Sequence, residues 1–114
     1  MTKRILMLMV AASMAGSLGA VSQASEASGP FTTKVRILDF RFAPRRVEIG
    51  QGTAVVWRNR GDETHTSTSR TGLWDSGNIA PGDKFRRRFN DTGVFRYRCD
   101  IHPDMRGRVI VGDV

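Results

Sequence analysis

Asn90-Asp91-Thr92-Gly93-Val94-Phe95-Arg96-Tyr97-Arg98-Cys99-Asp100-Ile101-His102-Pro103-Asp104-Met105-Arg106-Gly107 reads as a turn, then a strand, then a tight loop. Asn90 to Gly93 is a cluster of turn-forming residues. Arg96 and Arg98 alternate with Phe95, Tyr97 and Cys99, the period of two that marks a strand with one solvated face. Cys99, His102 and Met105 then recur at intervals of three residues, and Pro103 stiffens the path between the last two. Such a loop lets three side chains converge on one point.

Outward from this segment the chain continues as strands and turns, with no helical period of useful length. Val35, Ile37 and Asp39 alternate with Arg36 and Leu38, and Ala43-Pro44 breaks that strand because proline lacks a ladder donor. Val47 and Ile49 form a short second strand that ends at Gly50-Gln51-Gly52. Residues 53–58 are β-prone, with Val55 and Trp57 on one face. Asn59-Arg60-Gly61-Asp62 turns the chain into an expected strand over 64–68. Gly72-Leu73-Trp74-Asp75-Ser76-Gly77 reads as an irregular loop and Ala80-Pro81-Gly82-Asp83 as a turn. Phe85 and Phe89 share a face, which puts Arg87 on the apolar side unless it lies at a sandwich edge or beside a bulge. Residues 106–111 close the domain. The pattern predicts an all-β fold, a Greek-key β-sandwich of about seven to eight strands. Trp57 is expected in the core and Trp74 against an edge. Arg86-Arg87-Arg88 is expected on a solvated edge, where charge discourages strand pairing between molecules.

The start of the chain has the pattern of an export signal. Lys3 and Arg4 precede the uncharged run Ile5-Leu6-Met7-Leu8-Met9-Val10-Ala11-Ala12, and Ser22-Gln23-Ala24 offers small residues for cleavage. Cleavage after Ala20 or Ala27 fits nearly as well. The alternative is a retained membrane anchor, but the 17 residues from Ile5 to Val21 are diluted by Ser13, Gly16, Ser17 and Gly19. A spanning helix needs about 20 strongly apolar residues. The expected organisation is therefore a signal segment over 1–24, a flexible leader over 25–32 and one domain over 33–114.

Cleavage would remove four of the five methionines and leave one cysteine, two histidines and one methionine: Cys99, His65, His102 and Met105. A single cysteine closes no internal disulfide, so Cys99 is a buried inert thiol, a reactive thiol or a ligand. Eighteen cationic side chains less Lys3 and Arg4 leave sixteen against eleven acidic ones, a net charge near +5. Basic charge invites a nucleic-acid reading, yet export argues against one, and most arginines alternate with apolar residues as on solvated strands.

Thiolate, imidazole and thioether form a soft donor set. Soft donors suit copper, and a long axial methionine beside two histidines and a cysteine is a blue-copper arrangement. Zinc favours a carboxylate, another nitrogen or another sulfur over a thioether. The second imidazole must come from His65, since the chain has only two histidines. Taken singly, each of these residues is more often a core or surface residue than a ligand; taken together, they cluster at metal spacing.

The segment from Asn90 to Gly107 resembles the copper loop of the plastocyanin and amicyanin family of cupredoxins, and the two-residue gap between His102 and Met105 is similar to the short amicyanin-type loop. Ile37-x-Asp39-x-x-Phe42-x-Pro44, Val55-x-Trp57-x-Asn59 and Asp75-Ser76-Gly77 are similar to segments of small bacterial cupredoxins. The resemblance spans about residues 33–112. It implies one copper ion cycling between Cu(I) and Cu(II), held by His65, Cys99, His102 and Met105, with His102 nearest the surface and the point of electron entry. Many relatives carry asparagine directly after the first histidine, where this chain has Thr66.

The expected function is one-electron transfer between an exported redox donor and acceptor, without enzymatic turnover. The protein is expected to be a periplasmic or secreted monomer, with no nucleic-acid partner and no stable membrane insertion after cleavage. An acidic redox partner would match its charge. Two alternatives use the same residues. A copper carrier or store would bind the metal without electron transfer, and a cysteine nucleophile with a histidine base would need a third orienting group and a substrate cleft.

Overall fold

The computed structural model describes residues 31–113. The expected signal segment over 1–24, and the leader as far as residue 30, lie outside the described residues. The remainder folds as eight strands: β1 (Thr32–Leu38), β2 (Arg41–Ala43), β3 (Arg46–Gly50), β4 (Thr53–Asn59), β5 (Thr68–Ser69), β6 (Lys84–Phe89), β7 (Gly93–Arg98) and β8 (Arg106–Gly112). They form two four-stranded sheets, sheet A in the order β2-β1-β4-β6 and sheet B in the order β3-β8-β7-β5. The fold is the all-β sandwich that the alternation predicts.

Two features of the pairing depart from a simple run of hairpins. β1 lies parallel to β4, and β3 lies parallel to β8. Parallel neighbours need a crossover, so the chain leaves each sheet and returns to it. The three-residue β2, absent from the sequence reading, folds back on β1 with Ile37 opposite Phe42.

Alternation sends Val35 and Ile37 of β1, Val55 and Trp57 of β4, Tyr97 of β7, and Val109 and Val111 of β8 into one buried cluster with Phe42 and Phe89. Trp57 is its hub, with ring centroids 5.3 Å from Tyr97 and 5.7 Å from Phe85. Burial there pushes the Tyr97 phenol up to about 12. Trp74 joins the same cluster, 5.3 Å from Phe89, and its indole N–H donates to Ser67 Oγ at 3.0 Å.

Arg87 is the residue whose direction the sequence leaves open. β6 is the outer strand of sheet A and its ladder to β4 runs without a bulge, Arg87 standing opposite Val55. Arg87 therefore does point toward the apolar layer, but at the open edge of the sandwich. Its guanidinium carbon lies 4.8 Å from the Trp74 ring centroid and 4.6 Å from that of Phe89. The cation covers aromatic faces while its edge still meets water.

The strand expected over 64–68 shrinks to Thr68–Ser69. The preceding backbone makes other bonds. His65 exchanges both of its backbone hydrogen bonds with Ile79 (3.1 and 2.7 Å), Ser67 N–H donates to Ser76 Oγ, and Thr66 N–H donates to Cys99 Sγ. His65 thus sits on an isolated bridge at one end of the sandwich, next to the loop that follows β7.

Candidate metal centre

β7 ends at Arg98 and delivers Cys99 into the loop, and β8 takes up the chain again at Arg106. Two short backbone bonds close that loop. Cys99 N–H donates to Met105 C=O at 3.1 Å, and Met105 N–H donates to His102 C=O at 2.9 Å. Cys99, His102 and Met105 are thereby held within one turn. His65 arrives from the segment after β4.

Asn59, fully buried at the end of β4, fixes that arrival. Its side-chain amide donates to the carbonyls of Glu63 (2.7 Å) and Ile79 (2.9 Å), and its oxygen accepts the Gly61 N–H (2.8 Å). Asp39, the residue that follows β1, does comparable work. Its carboxylate accepts the backbone N–H groups of Asp62 and Glu63 and meets His65 Nε2 at 3.1 Å. Gly61 leaves the room this needs, since a Cβ there would stand 2.9 Å from the Asp39 backbone nitrogen and closer still to its carboxylate. The Asp62 amide, then the His65 ring and the Glu63 amide, hold the Asp39 carboxyl below its usual range. An ionised carboxylate can only accept, so His65 Nε2 carries the proton and Nδ1 presents its lone pair.

That lone pair faces two other donors. His65 Nδ1 lies 3.2 Å from His102 Nδ1, and each of these nitrogens lies 3.8 Å from Cys99 Sγ. His65 and Cys99 are 0% exposed and Met105 is 2% exposed, while His102 is half-buried. These separations define a triangle whose centre lies about 2.1 Å from each donor atom, the length of a metal–imidazole bond and slightly short of a metal–thiolate bond. The three side chains are therefore spaced for one first-row metal ion. Zinc would fit the size of this triangle equally well. Met105, held in the same loop, adds the thioether that favours copper.

Thr66, the residue after His65, ties the two loops together. Its backbone N–H donates to Cys99 Sγ at 3.3 Å and its hydroxyl accepts the Asp100 N–H at 2.8 Å. The same hydroxyl meets Thr68 Oγ1 at 2.9 Å, and Thr68 Oγ1 donates to the Asp100 carboxylate at 2.9 Å. The backbone bond holds the Cys99 sulfur in place, and the hydroxyl chain fixes the residue after it.

Cys99, His102 and Met105, singled out by spacing, and His65, reached by elimination, come from this one end of the molecule. Sequence reasoning assigned no role to Asp39 or Asn59. A signal existed for Asp39, an acidic residue in phase with Val35 and Ile37 on the apolar side of a strand. Nothing comparable marks Phe40, whose ring edge meets His102 at a centroid distance of 5.3 Å. Phe40 is 66% exposed and has a positive φ of 74°, a conformation that L residues adopt at a cost.

A family model described as a cupredoxin-like domain matches residues 5–111. The chain is 31% identical over 106 residues to amicyanin-alpha of Methylorubrum extorquens, a match covering 89% of this chain and 86% of that protein. Among solved structures it is similar to a purple cupredoxin from Nitrosopumilus maritimus, with a TM-score of 0.65 and 29% identity over 69% of this chain and 98% of that one. A reduced Cu(I) form of an amicyanin mutant gives a TM-score of 0.66 at 24% identity, over 74% of this chain and 83% of that one, a likeness of fold alone.

Proposed function

The chain belongs to the cupredoxin-like domain family, and from that premise we propose that it is an exported type 1 copper protein passing single electrons between redox proteins. One copper ion is held by His65, Cys99, His102 and Met105. The observation that carries this reading is the spacing of His65 Nδ1, His102 Nδ1 and Cys99 Sγ at 3.2 to 3.8 Å around one point.

Bound copper supplies the one-electron change between Cu(I) and Cu(II). The protein's own residues keep the ligands still while that change occurs. Asp39 fixes the tautomer and tilt of His65, Thr66 supports the Cys99 sulfur, and the Met105–Cys99 and Met105–His102 backbone bonds hold the loop. A site that moves little between oxidation states exchanges electrons with little reorganisation. His102 is the ligand that reaches the surface, beside the exposed Phe40 ring, and is the point of electron entry. Burial of Cys99 supports electron transfer over nucleophilic chemistry, because no substrate reaches the sulfur. It also supports a resident ion over a cargo ion.

In this reading residues 1–24 direct export to the periplasm or beyond and are removed, residues 25–32 are a leader, and residues 33–114 act as a monomer. Its donor and acceptor are redox proteins, and an acidic surface on either one complements its positive charge.

The test is optical. Purified protein given one equivalent of Cu(II) is expected to turn intensely blue or purple through thiolate-to-copper charge transfer. Reductant should bleach the band, and a mild oxidant should restore it without loss of metal. A colourless copper complex, or colour that fails to return, would overturn the reading.

A further inference from the structure

The outer face of sheet B carries a feature that electron transfer does not use. Arg46 of β3 stands opposite Arg108 of β8, and Arg108 stands opposite Arg96 of β7, so three guanidinium groups form a row across three adjacent strands. Arg70 is tied to the end of that row by its backbone N–H, which donates to Arg96 C=O at 2.9 Å. Arg45 is tied to its middle, its carbonyl accepting the Arg108 N–H at 2.8 Å. Together with Arg106 these side chains line one open cleft of about 430 Å³, with Tyr97 and Gly107 completing the lining and no carboxylate among the lining residues.

Arg46 pairs with Glu48 at 2.6 Å, but the other five arginines have no carboxylate partner among the described residues. Like charges directly opposite on neighbouring strands destabilise a sheet. Here the repulsion is arranged around a concavity, and the ladder bonds fix where the stems of Arg46, Arg96 and Arg108 leave the sheet.

The outer face of sheet A provides a comparison within the same molecule. It carries the row Arg36, Arg58 and Lys84 across β1, β4 and β6. Its cleft, however, includes Val35 and Val56, and Arg58 is already committed to the Gly82 carbonyl at 2.9 Å. In sheet B, Arg46 is engaged by Glu48 and Arg106 by the Pro103 carbonyl at 3.5 Å, so the difference lies in the lining. All six cations of the sheet B cleft are arginines and no aliphatic side chain lines it, whereas sheet A mixes in Lys34, Lys84 and two valines.

We propose that the sheet B cleft binds an oxyanion bearing two or more phosphoryl groups. A monocarboxylate would neutralise one of the five unmatched arginines, whereas linked phosphoryl groups bring several charges into a small volume. Their tetrahedral oxygens can accept from guanidinium forks on every side of the cleft. Soluble oligophosphate and the phosphorylated headgroup of a membrane lipid share this chemistry.

The experiment titrates copper-loaded protein with inorganic tripolyphosphate in a calorimeter at 0.15 M salt, where exposed charges interact over only about 8 Å. Saturable binding of one equivalent is expected. Arg96→Gln with Arg108→Gln should weaken it at least tenfold, while Arg36→Gln with Arg86→Gln, the same charge change on sheet A, should weaken it less than threefold. An unchanged visible band and a melting temperature no lower than that of the unmodified protein would establish that both variants are folded, and Arg70→Gln alone, outside the strands, should weaken binding at least threefold. A flotation arm compares vesicles of phosphatidic acid with vesicles of phosphatidylcholine. Capture that depends on Arg96 and Arg108 assigns the lipid source, and tripolyphosphate binding without capture assigns the soluble one. Equal loss from the two double variants would reduce the effect to net charge and overturn the proposal. Citrate binding as tightly as tripolyphosphate, or no saturable binding to either phosphate probe, would also overturn it.

Discussion

The loop end and the outer face of sheet B share the strands β7 and β8, and they treat polar groups in opposite ways. At the loop end, the segment between β7 and β8 meets His65 with neutral or soft donors turned toward a common point, His65 and Cys99 fully buried and hydrogen-bonded from behind and His102 half-buried. On the sheet face, the same strands present permanent cations that are exposed and mostly unmatched by carboxylates. Desolvated groups need partners within the protein, whereas exposed ones can be left for a ligand. The loop end is therefore organised by the fold before metal binds, and the arginine face is completed only by something from outside.

The largest effect should come from breaking the loop end alone. Cys99→Ser is expected to reduce the visible copper band from intense to undetectable, since the charge-transfer donor is the thiolate. Tripolyphosphate binding, measured by calorimetry on the zinc-loaded variant beside zinc-loaded wild type, should stay within about twofold, because sites without shared partners perturb each other little. If the phosphate isotherm disappears together with the colour, the two regions are one coupled unit and the contrast fails.

A smaller effect sharpens the account of how the loop end is held. Thr66→Val keeps the backbone bond to Cys99 Sγ but deletes the hydroxyl that meets the Asp100 N–H and Thr68 Oγ1. Leaving those groups unmatched should destabilise the protein by about 1–3 kcal/mol in denaturant unfolding and shift the visible band. Thr66→Ser should restore both. Full stability in Thr66→Val would remove the hydroxyl chain from the set of supports.

These supports were unequally visible in the sequence. Cys99, His102 and Met105 were legible because they fall within seven residues, and His65 because the chain offers only one other histidine. The strands were legible wherever apolar and charged residues alternate. The departure at Thr66 was visible, but its replacement ties depend on Thr68 and on Asp100, which lies 34 residues further on. Parallel pairing of β1 with β4 and of β3 with β8 was not legible, because neighbours in a sheet are chosen by tertiary packing and not by local pattern. The arginine row was hidden for the same reason. Arg46, Arg96 and Arg108 are ordinary solvated-strand residues until the register sets them side by side.

Met105→Leu tests whether the thioether belongs to the loop end as a ligand or only as packing. Leucine fills a similar volume, so the fold should survive. Loss of an axial donor penalises Cu(II) more than Cu(I), and the reduction potential should rise by about 60 mV or more, one tenfold change in the redox equilibrium. Voltammetry of the purified variant measures this directly. An unchanged potential with an unchanged spectrum would place Met105 outside the coordination sphere.

The smallest expected effect has the sign opposite to that of most substitutions. Arg108 stands between Arg46 and Arg96, with like charge on both neighbouring strands, and only Arg46 has an acid, Glu48, at hand. Arg108→Gln removes the central charge while keeping most of the stem that covers the sheet. In dilute buffer without multivalent anions, relief of the two repulsions should raise stability by about 0.2–1 kcal/mol. The gain should shrink as salt is added, because screening already weakens the repulsion in the unmodified protein. Added tripolyphosphate should reverse the order, stabilising the unmodified protein by mass action and the variant much less. Urea unfolding of both proteins under the three conditions reads all of this in one series. If Arg108→Gln is destabilising in dilute buffer, the row is a structural contact in its own right, and the arginine face would be satisfied from within as the loop end is.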